Sequence, residues 1–269
     1  MRVIRAGAVA WVELGTIISS MPPRFFAPAI EGSGDAVVLP VDESRHLRQV
    51  LRLGVADEVC VFDGRGHEYL GRVERVGRAG VIVRILEPVA AVPEASVAVT
   101  VAPTVLKGRT FDAVVRDATM LGAAAVQPLL AVRQASHRPS VIRGGSVAAR
   151  WRRIAVAAAK QCGRAVVPEV REPMAVESFA TADRADVQLV LTEPSAARAD
   201  AIRPRDLAER PRPKTVSLAI GPEGGWASDE LNQFIAEDFQ VMMLGGRILR
   251  AEIVPVVALA ALACLWDDS

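Results

Sequence analysis

"LGGRILRAE", Leu244 to Glu252, stands between the strand-like run "FQVMM" and the apolar run "IVPVVALAALACLW". Two adjacent glycines, two arginines and a glutamate fall inside nine residues. Glycine lets the backbone come close to a ligand. In a parallel α/β sheet, ligands bind just outside the carboxyl ends of the strands. A charged, glycine-bearing strand-to-helix turn is therefore where such a domain would keep its site.

Two more turns of this kind lie upstream. "TEPS", Thr192 to Ser195, follows "DVQLVL", and "GPEGG", Gly221 to Gly225, follows "KTVSLAI". Any one of them alone is explained by a plain helix entry. Three at consecutive strand ends are expected to share one pocket. Neither G-x-G-x-x-G nor G-x-x-x-x-G-K-[ST] occurs, and Pro222 stiffens its turn and removes a donor. That suits a shaped cradle better than a flexible phosphate loop.

From "SVAVTVAP" onward, strands alternate with helices, which predicts an α/β domain with a mostly parallel sheet. Ser228 is the expected N-cap of the helix "SDELNQFIAED". The last apolar run, Ile253 to Trp266, is too short to span a bilayer and reads as a buried helix. Residues 21 to about 90 are different. The segment "DESRHLRQVLRL" reads as a helix with Asp42 at its N-cap, and "DGRG" joins two strands in a hairpin. A small β-barrel with one helix is expected there. The Pro-containing "EPVAAVPEAS" separates the two parts. The expected organisation is an extension over 1–20, a small barrel over 21–92 and the α/β domain over 93–269. In the extension Glu13 interrupts the apolar stretch and no small-residue cleavage site follows, so it is read as lying upstream of a start at Met21.

The chain has 269 residues, 51% of them apolar, and a net charge of +1, so the charge alone selects no partner. Its distribution says more. No Asp or Glu occurs from Ala118 to Pro168, where Arg133, Arg138, Arg143, Arg150, Arg152, Arg153, Lys160 and Arg164 all fall. This is either a solvated loop or a field for a polyanion. Cys60, Cys162 and Cys264 are scattered, as are His46, His67 and His137. No metal site or disulfide framework is expected, and a reducing cytoplasm fits.

"IGPEGGW" followed by "LGGRILRAE" resembles the C-terminal signature of the SPOUT methyltransferases, and most nearly that of the RsmE family of 16S ribosomal RNA uridine N3-methyltransferases. "MPPRFF", "DESRHLRQVLRLGVADEVCVFDGRGHEY", "KGRTFDAVVRDATMLGA" and "KQCGR" match the remaining family segments in order. The resemblance implies an N-terminal PUA-like RNA-binding barrel and a C-terminal trefoil knot that forms a pocket for S-adenosylmethionine. It also implies a homodimer and, as substrate, 16S ribosomal RNA in the small ribosomal subunit. The implied cofactor residues are Leu191, Thr192 and Glu193 in the first turn. Ile220, Gly221, Pro222, Glu223, Gly224 and Gly225 follow in the second, and Leu244, Gly245, Gly246, Ile248 and Leu249 in the third.

N3 of uridine becomes a nucleophile when its proton leaves and charge spreads onto O2 and O4. A cationic donor stabilises that charge and a carboxylate accepts the proton. Arg250 is the candidate stabiliser. Glu252 is the candidate base or the group that orients Arg250; a structural ion pair between the two is the competing reading. RNA contacts are expected from Arg24, Arg45, His46, Arg48, Arg52 and Arg65 on the barrel. Arg133, Arg138, Arg143, Arg152, Arg153 and Arg164 are expected to add to them from the acid-free stretch. The chain departs from the family at Ile253, where a threonine is usual, and at Met120, where an acidic residue is common. Two other readings therefore stay open: another SPOUT enzyme such as a ribose 2′-O-methyltransferase, and a non-catalytic RNA-binding assembly protein.

Overall fold

The computed structural model describes residues 22–30, 35–78, 80–133, 146–182, 184–196 and 200–266. The expected extension over 1–20 lies outside them. The chain divides into two compact units between Ala91 and Val92.

The N-terminal unit is a five-stranded sheet in the order β1-β3-β4-β5-β2. Its strands are β1 (Arg24–Phe26), β2 (Ala36–Val38), β3 (Glu58–Phe62), β4 (Glu68–Gly77) and β5 (Gly80–Val89). Alternation sends Val37, Val59, Val61, Val73, Val81 and Val83 inward, where Phe25 and Leu47 complete the core. Between Val73 and Arg75 the β4–β5 register slips: Val73 faces Val83, and Arg75, not Glu74, faces Ile82. Such a bulge re-aims side chains and sharpens the local twist.

The long helix expected over 42–53 is replaced by a short one, α1 (Val41–Arg45), running into a π-type turn over His46–Val50. Pro40 occupies the N-cap position and Asp42 lies inside the first turn. Leu47 alone of the π turn is buried, so little apolar surface remains to hold a longer helix.

The C-terminal unit holds a six-stranded parallel sheet in the order β13-β11-β12-β6-β7-β9. These are β6 (Ala98–Pro103), β7 (Ala125–Val126), β9 (Glu169–Val170), β11 (Val187–Leu191), β12 (Thr215–Ile220) and β13 (Gln240–Met242). The stretch "AAAVQPLL" carries two short strands, not one. Pro128 cannot continue the ladder, so β8 (Leu129–Leu130) leaves and pairs with β10 (Met174–Ala175). One face of the large sheet is covered by α2 (Thr110–Met120), α3 (Ser146–Cys162) and α7 (Val254–Trp266). Phe111 of α2 packs on Trp151 of α3 at 4.4 Å between ring centroids. The other face carries α4 (Val176–Ala182) and α6 (Ser228–Ala236), closed by Phe179, Phe234 and Phe239. A short α5 (Pro204–Leu207) completes the helices among the described residues.

Arg164 locks this arrangement. Its guanidinium donates to the carbonyls of Thr119 (2.5 Å) and Ala123 (3.2 Å), at and beyond the end of α2, and pairs with Glu94. It adds a charged donor to the Thr119 carbonyl, which also accepts from Gly122 N–H, and bonds the Ala123 carbonyl beyond the helix. Only 6% of it is exposed, so it is a structural clamp and not the RNA contact expected from its place in the basic stretch.

Candidate active site

Three strands end level. Leu191 pairs with Ile220 on one side and with Met242 on the other, and all three strands are parallel. The turns that leave them therefore start at one edge of the sheet. They enclose an open cleft of about 900 Å³, part of it continuous with solvent.

Leu191, Thr192 and Glu193 line it from the first turn, with Pro194 and Ala196 beyond them. Ile220, Gly221, Pro222, Glu223 and Gly225 line it from the second. Leu244, Gly245, Ile248 and Leu249 line it from the third, with Arg247. Two of the expected cofactor residues stand outside the lining. Gly224 faces the backbone of Arg133, whose carbonyl oxygen is 3.5 Å from where a Cβ would sit. Gly246 is exposed, with nothing within 4 Å of its Cβ position.

The glycines differ in what they answer to. A Cβ on Gly221 would meet the Trp226 ring at 3.1 Å, so that glycine serves internal packing. Gly225 has φ +67°, a left-handed conformation. Gly245 meets nothing within 4 Å. The space it leaves is not filled by the protein itself.

Trp226 was not singled out from the sequence, although it follows "GPEGG" directly. Its indole lines the cleft, and Nε1 donates to the Leu191 carbonyl at 2.9 Å, tying the second turn to the first strand end. Glu230, three residues beyond the N-cap position of α6, is not marked out by the sequence either. It is 3% exposed: Oε2 accepts from Ala227 N–H (2.9 Å) and Oε1 from Val132 N–H (2.7 Å), 98 residues away. The residue at the N-cap of α6 is Ala227, not Ser228, and the Glu230 carboxylate does the capping from the third helical position. Ala227 and Val132 are the sequence neighbours of Trp226 and Arg133, both of which line the cleft. A periodicity argument cannot find a bond that spans such a separation.

One polar group in the cleft has no protein partner. Thr192 Oγ1 is buried and unbonded, and a buried hydroxyl without a partner is costly. A hydrogen-bonding ligand would satisfy it. Ile248 is 71% exposed at the same cleft, an apolar surface the fold leaves uncovered.

Arg250 and Glu252 close the third turn. The Arg250 carbonyl accepts from Ile253 N–H (2.9 Å) and Val254 N–H (3.3 Å), which starts α7. Arg250 is exposed and Glu252 half-buried, with buried Ala251 between them. The two do not form an ion pair, and neither lines the cleft; Arg247 does. Ile253 and Met120 are 45% and 41% exposed, so neither fills a core position.

Arg24 is not a free cation. It makes a two-pronged pair with Glu68 at 2.6 and 3.0 Å and stacks 4.7 Å from the Phe62 centroid. With its side chain 9% exposed it holds β1 to β4 and is removed from the set of RNA contacts. Arg152 is half-committed, to the Val170 carbonyl (3.0 Å) and Glu172 (3.1 Å). Arg45, Arg48, Arg52, Arg65, Arg133 and Arg153 are exposed, and His46 is half-buried with its ring edge toward Phe25. Arg138 and Arg143 lie outside the described residues.

Arg65 is held on a rigid hairpin. Asp63 accepts from the N–H groups of Arg65 (2.7 Å) and His67 (3.1 Å) and meets His67 Nδ1 at 2.7 Å. Burial pushes the Asp63 carboxyl up. The bond to the His67 ring and the two backbone donors outweigh it and hold the group below the ordinary aspartate value.

Comparison with known proteins gives this geometry a context. Residues 93–263 match the model of an RNA methyltransferase domain, and residues 39–86 that of an RNA methyltransferase PUA domain. The ribosomal RNA small subunit methyltransferase E of Synechocystis is 34% identical over 232 residues, covering 86% of this chain and 74% of that protein. Its Mycobacterium bovis namesake is 28% identical and covers 91% of this chain and 94% of its own. Among solved structures, the Neisseria gonorrhoeae ribosomal RNA small subunit methyltransferase E bound to S-adenosylmethionine superposes with TM-score 0.80. It has 28% identity and covers 93% of this chain and all (100%) of that one. A Legionella pneumophila methyltransferase with bound S-adenosylmethionine gives 0.81 at 27% identity, covering 90% and 97%.

Proposed function

The chain belongs to the RNA methyltransferase family, and on that premise we propose that it methylates N3 of a uridine in the small-subunit ribosomal RNA, 16S RNA, using S-adenosylmethionine. One observation carries the reading. Three turns from level strand ends share a cleft that contains a buried, unpartnered hydroxyl, Thr192 Oγ1, and an unfilled space at Gly245. The residues present fit an adenosyl group. The Thr192 hydroxyl and the backbone of the second and third turns offer hydrogen bonds. Leu244, Ile248 and Leu249 offer apolar walls, and Glu193 and Glu223 bring negative charge to a cationic ligand.

S-Adenosylmethionine supplies an electrophilic methyl group. The protein's part is placement and charge. Arg250 stabilises the developing negative charge on O2 and O4 of the uridine, and Glu252 takes the N3 proton or steers Arg250. Both stand outside the cleft lining, Arg250 exposed and Glu252 half-buried, which suits contact with an incoming base better than contact with the cofactor. A base inside folded RNA must be turned outward to reach it, and holding it in line contributes much of the rate.

Three finer features belong to the same proposal. The C-terminal turns form a trefoil knot, the N-terminal sheet closes as a PUA-like barrel, and the active species is a cytoplasmic homodimer. For the dimer, α7 has no charged residue between Val254 and Trp266, yet Ala260 and Cys264 on it are exposed. No helix among the described residues is long and apolar enough to cross a membrane.

The test is transfer of labelled methyl to small ribosomal subunits that lack the modification, followed by nucleoside analysis. Recovery as 3-methyluridine is expected. Label in another nucleoside overturns the specificity, and absence of label overturns the activity.

A further inference from the structure

A second surface on the N-terminal unit has the chemistry of a nucleotide site. The residues of β2, β5 and β4 that stand level in the ladder are Val38, Ile82 and Arg75. Their chain neighbours Val37, Val81 and Val83 fill the core and Val76 packs against it, so this row lies on the opposite face. Val38 is 57% exposed there. With Gly77, Arg78 and Gly80 of the β4–β5 turn, the row forms a shallow pocket with an aliphatic floor and a cationic rim. Arg48 reaches it from the π turn, donating to the Gly77 carbonyl at 3.4 Å.

The bulge in β4 decides the sign of the charge. Regular pairing beyond Val73–Val83 would bring Glu74 opposite Ile82. The slip brings Arg75 there and turns Glu74 to Arg84 at 3.2 Å. Elsewhere on the sheet arginines are neutralised, as Arg72 is by Glu58 at 2.9 Å. Among the described residues no salt bridge involves Arg75 or Arg78.

We infer that this pocket is a subsite for one unpaired nucleotide of an RNA, its base on Val38 and Ile82 and its flanking phosphates on Arg75 and Arg78. Guanidinium groups suit phosphate as bidentate donors and can also stack on a base. The subsite rests on the reading of the protein as an RNA methyltransferase and adds an RNA contact that lies outside the cofactor cleft.

The test uses the full chain and a labelled octauridylate, followed by fluorescence anisotropy at several salt concentrations. Arg75→Ala and Arg78→Ala are each expected to weaken binding about tenfold and to flatten the salt slope by about 0.7. Val38→Asp is expected to weaken it at least as much. Arg75→Lys keeps the charge, so the wild-type slope should persist at reduced affinity; this variant covers the case in which Arg75→Ala fails to fold. Arg72→Ala, already paired with Glu58, should bind as wild type. Wild-type affinity in the Arg75, Arg78 and Val38 variants would overturn the subsite. So would displacement of the label by duplex RNA or polyglutamate as effectively as by free octauridylate. Failure of methyl transfer with these effects intact would instead overturn the proposed function alone.

Discussion

Glu230→Ala is the most informative single change in the C-terminal unit. The wild-type carboxylate is 3% exposed and accepts two backbone N–H groups, at 2.7 Å from Val132 and 2.9 Å from Ala227. A hydrogen bond to a charged group contributes about 1.5–3 kcal/mol, and a stranded buried donor costs a similar amount. The two ends are unequal. Val132 is 58% exposed, so water replaces the carboxylate there and the loss is about 1 kcal/mol. Ala227 N–H, at the start of α6 beside buried Trp226, loses close to the full amount. The sum is about 2–4 kcal/mol. Glu230→Gln keeps one acceptor and turns an amide N–H toward the other donor, for about half that loss. Urea unfolding measures these numbers, and titration calorimetry with S-adenosylmethionine measures the second effect. Trp226 and Arg133, adjacent in sequence to the two bonded N–H groups, line the cleft. Affinity should therefore fall in the same order, wild type over Gln over Ala. An alanine variant with the wild-type midpoint and wild-type affinity would refute this account of Glu230.

Gly245→Val should lower cofactor affinity at least tenfold while leaving the unfolding midpoint near wild type, because nothing in the protein lies within 4 Å of the added Cβ. Gly221→Ala should do the reverse in emphasis, lowering the midpoint through a 3.1 Å contact with Trp226; equal effects in calorimetry and unfolding would contradict the distinction. Arg250→Ala should abolish methyl transfer to small subunits with cofactor affinity retained, and near-normal turnover would remove Arg250 from the chemistry. Asp63 has a folded-state pKa held below its unfolded value of about 3.9. Its contribution to stability is therefore full above that value and is lost as pH falls through the folded one. Asp63→Asn should abolish this part of the acid dependence of unfolding, and an unchanged profile would show that the hairpin bonds contribute nothing.

Much of the molecule was legible where local pattern and local chemistry agree. The strand ends at Leu191, Ile220 and Met242 and the turns after them could be read from glycine and charge placement alone, because parallel sheets put such turns on one edge. What the residues could not disclose was commitment. Arg24 and Arg164 look like their exposed neighbours in sequence, yet each is claimed by a distant glutamate, Glu68 and Glu94. The acid-free stretch is a fact of composition, but composition does not tell a clamp from a contact. Likewise Trp226 and Glu230 act across 35 and 98 residues of chain, through bonds that no helical or strand period predicts. The helix expected over 42–53 failed for a different reason. Its apolar positions satisfy a 3.6-residue period, but only Leu47 finds a core to enter in the π turn, and tertiary packing overrides propensity.

The level ending of β11, β12 and β13 has a consequence for how the protein comes into being. The turns beginning at Thr192, Gly221 and Met243 are strung along the chain in the order of translation, and the third is made after both others. A nascent chain extending only through Ile220 holds the first strand end and the second but no Leu244, Gly245 or Leu249 to close the cleft. Cofactor capture should thus be a late event of biosynthesis, dependent on all three strands having paired. A ligand seated in the cleft would touch three segments that separate on unfolding, so it would oppose global unfolding and not merely local fraying. At a hundredfold excess over its dissociation constant that link amounts to about 2.7 kcal/mol, enough to make cellular cofactor supply a determinant of how long the enzyme survives.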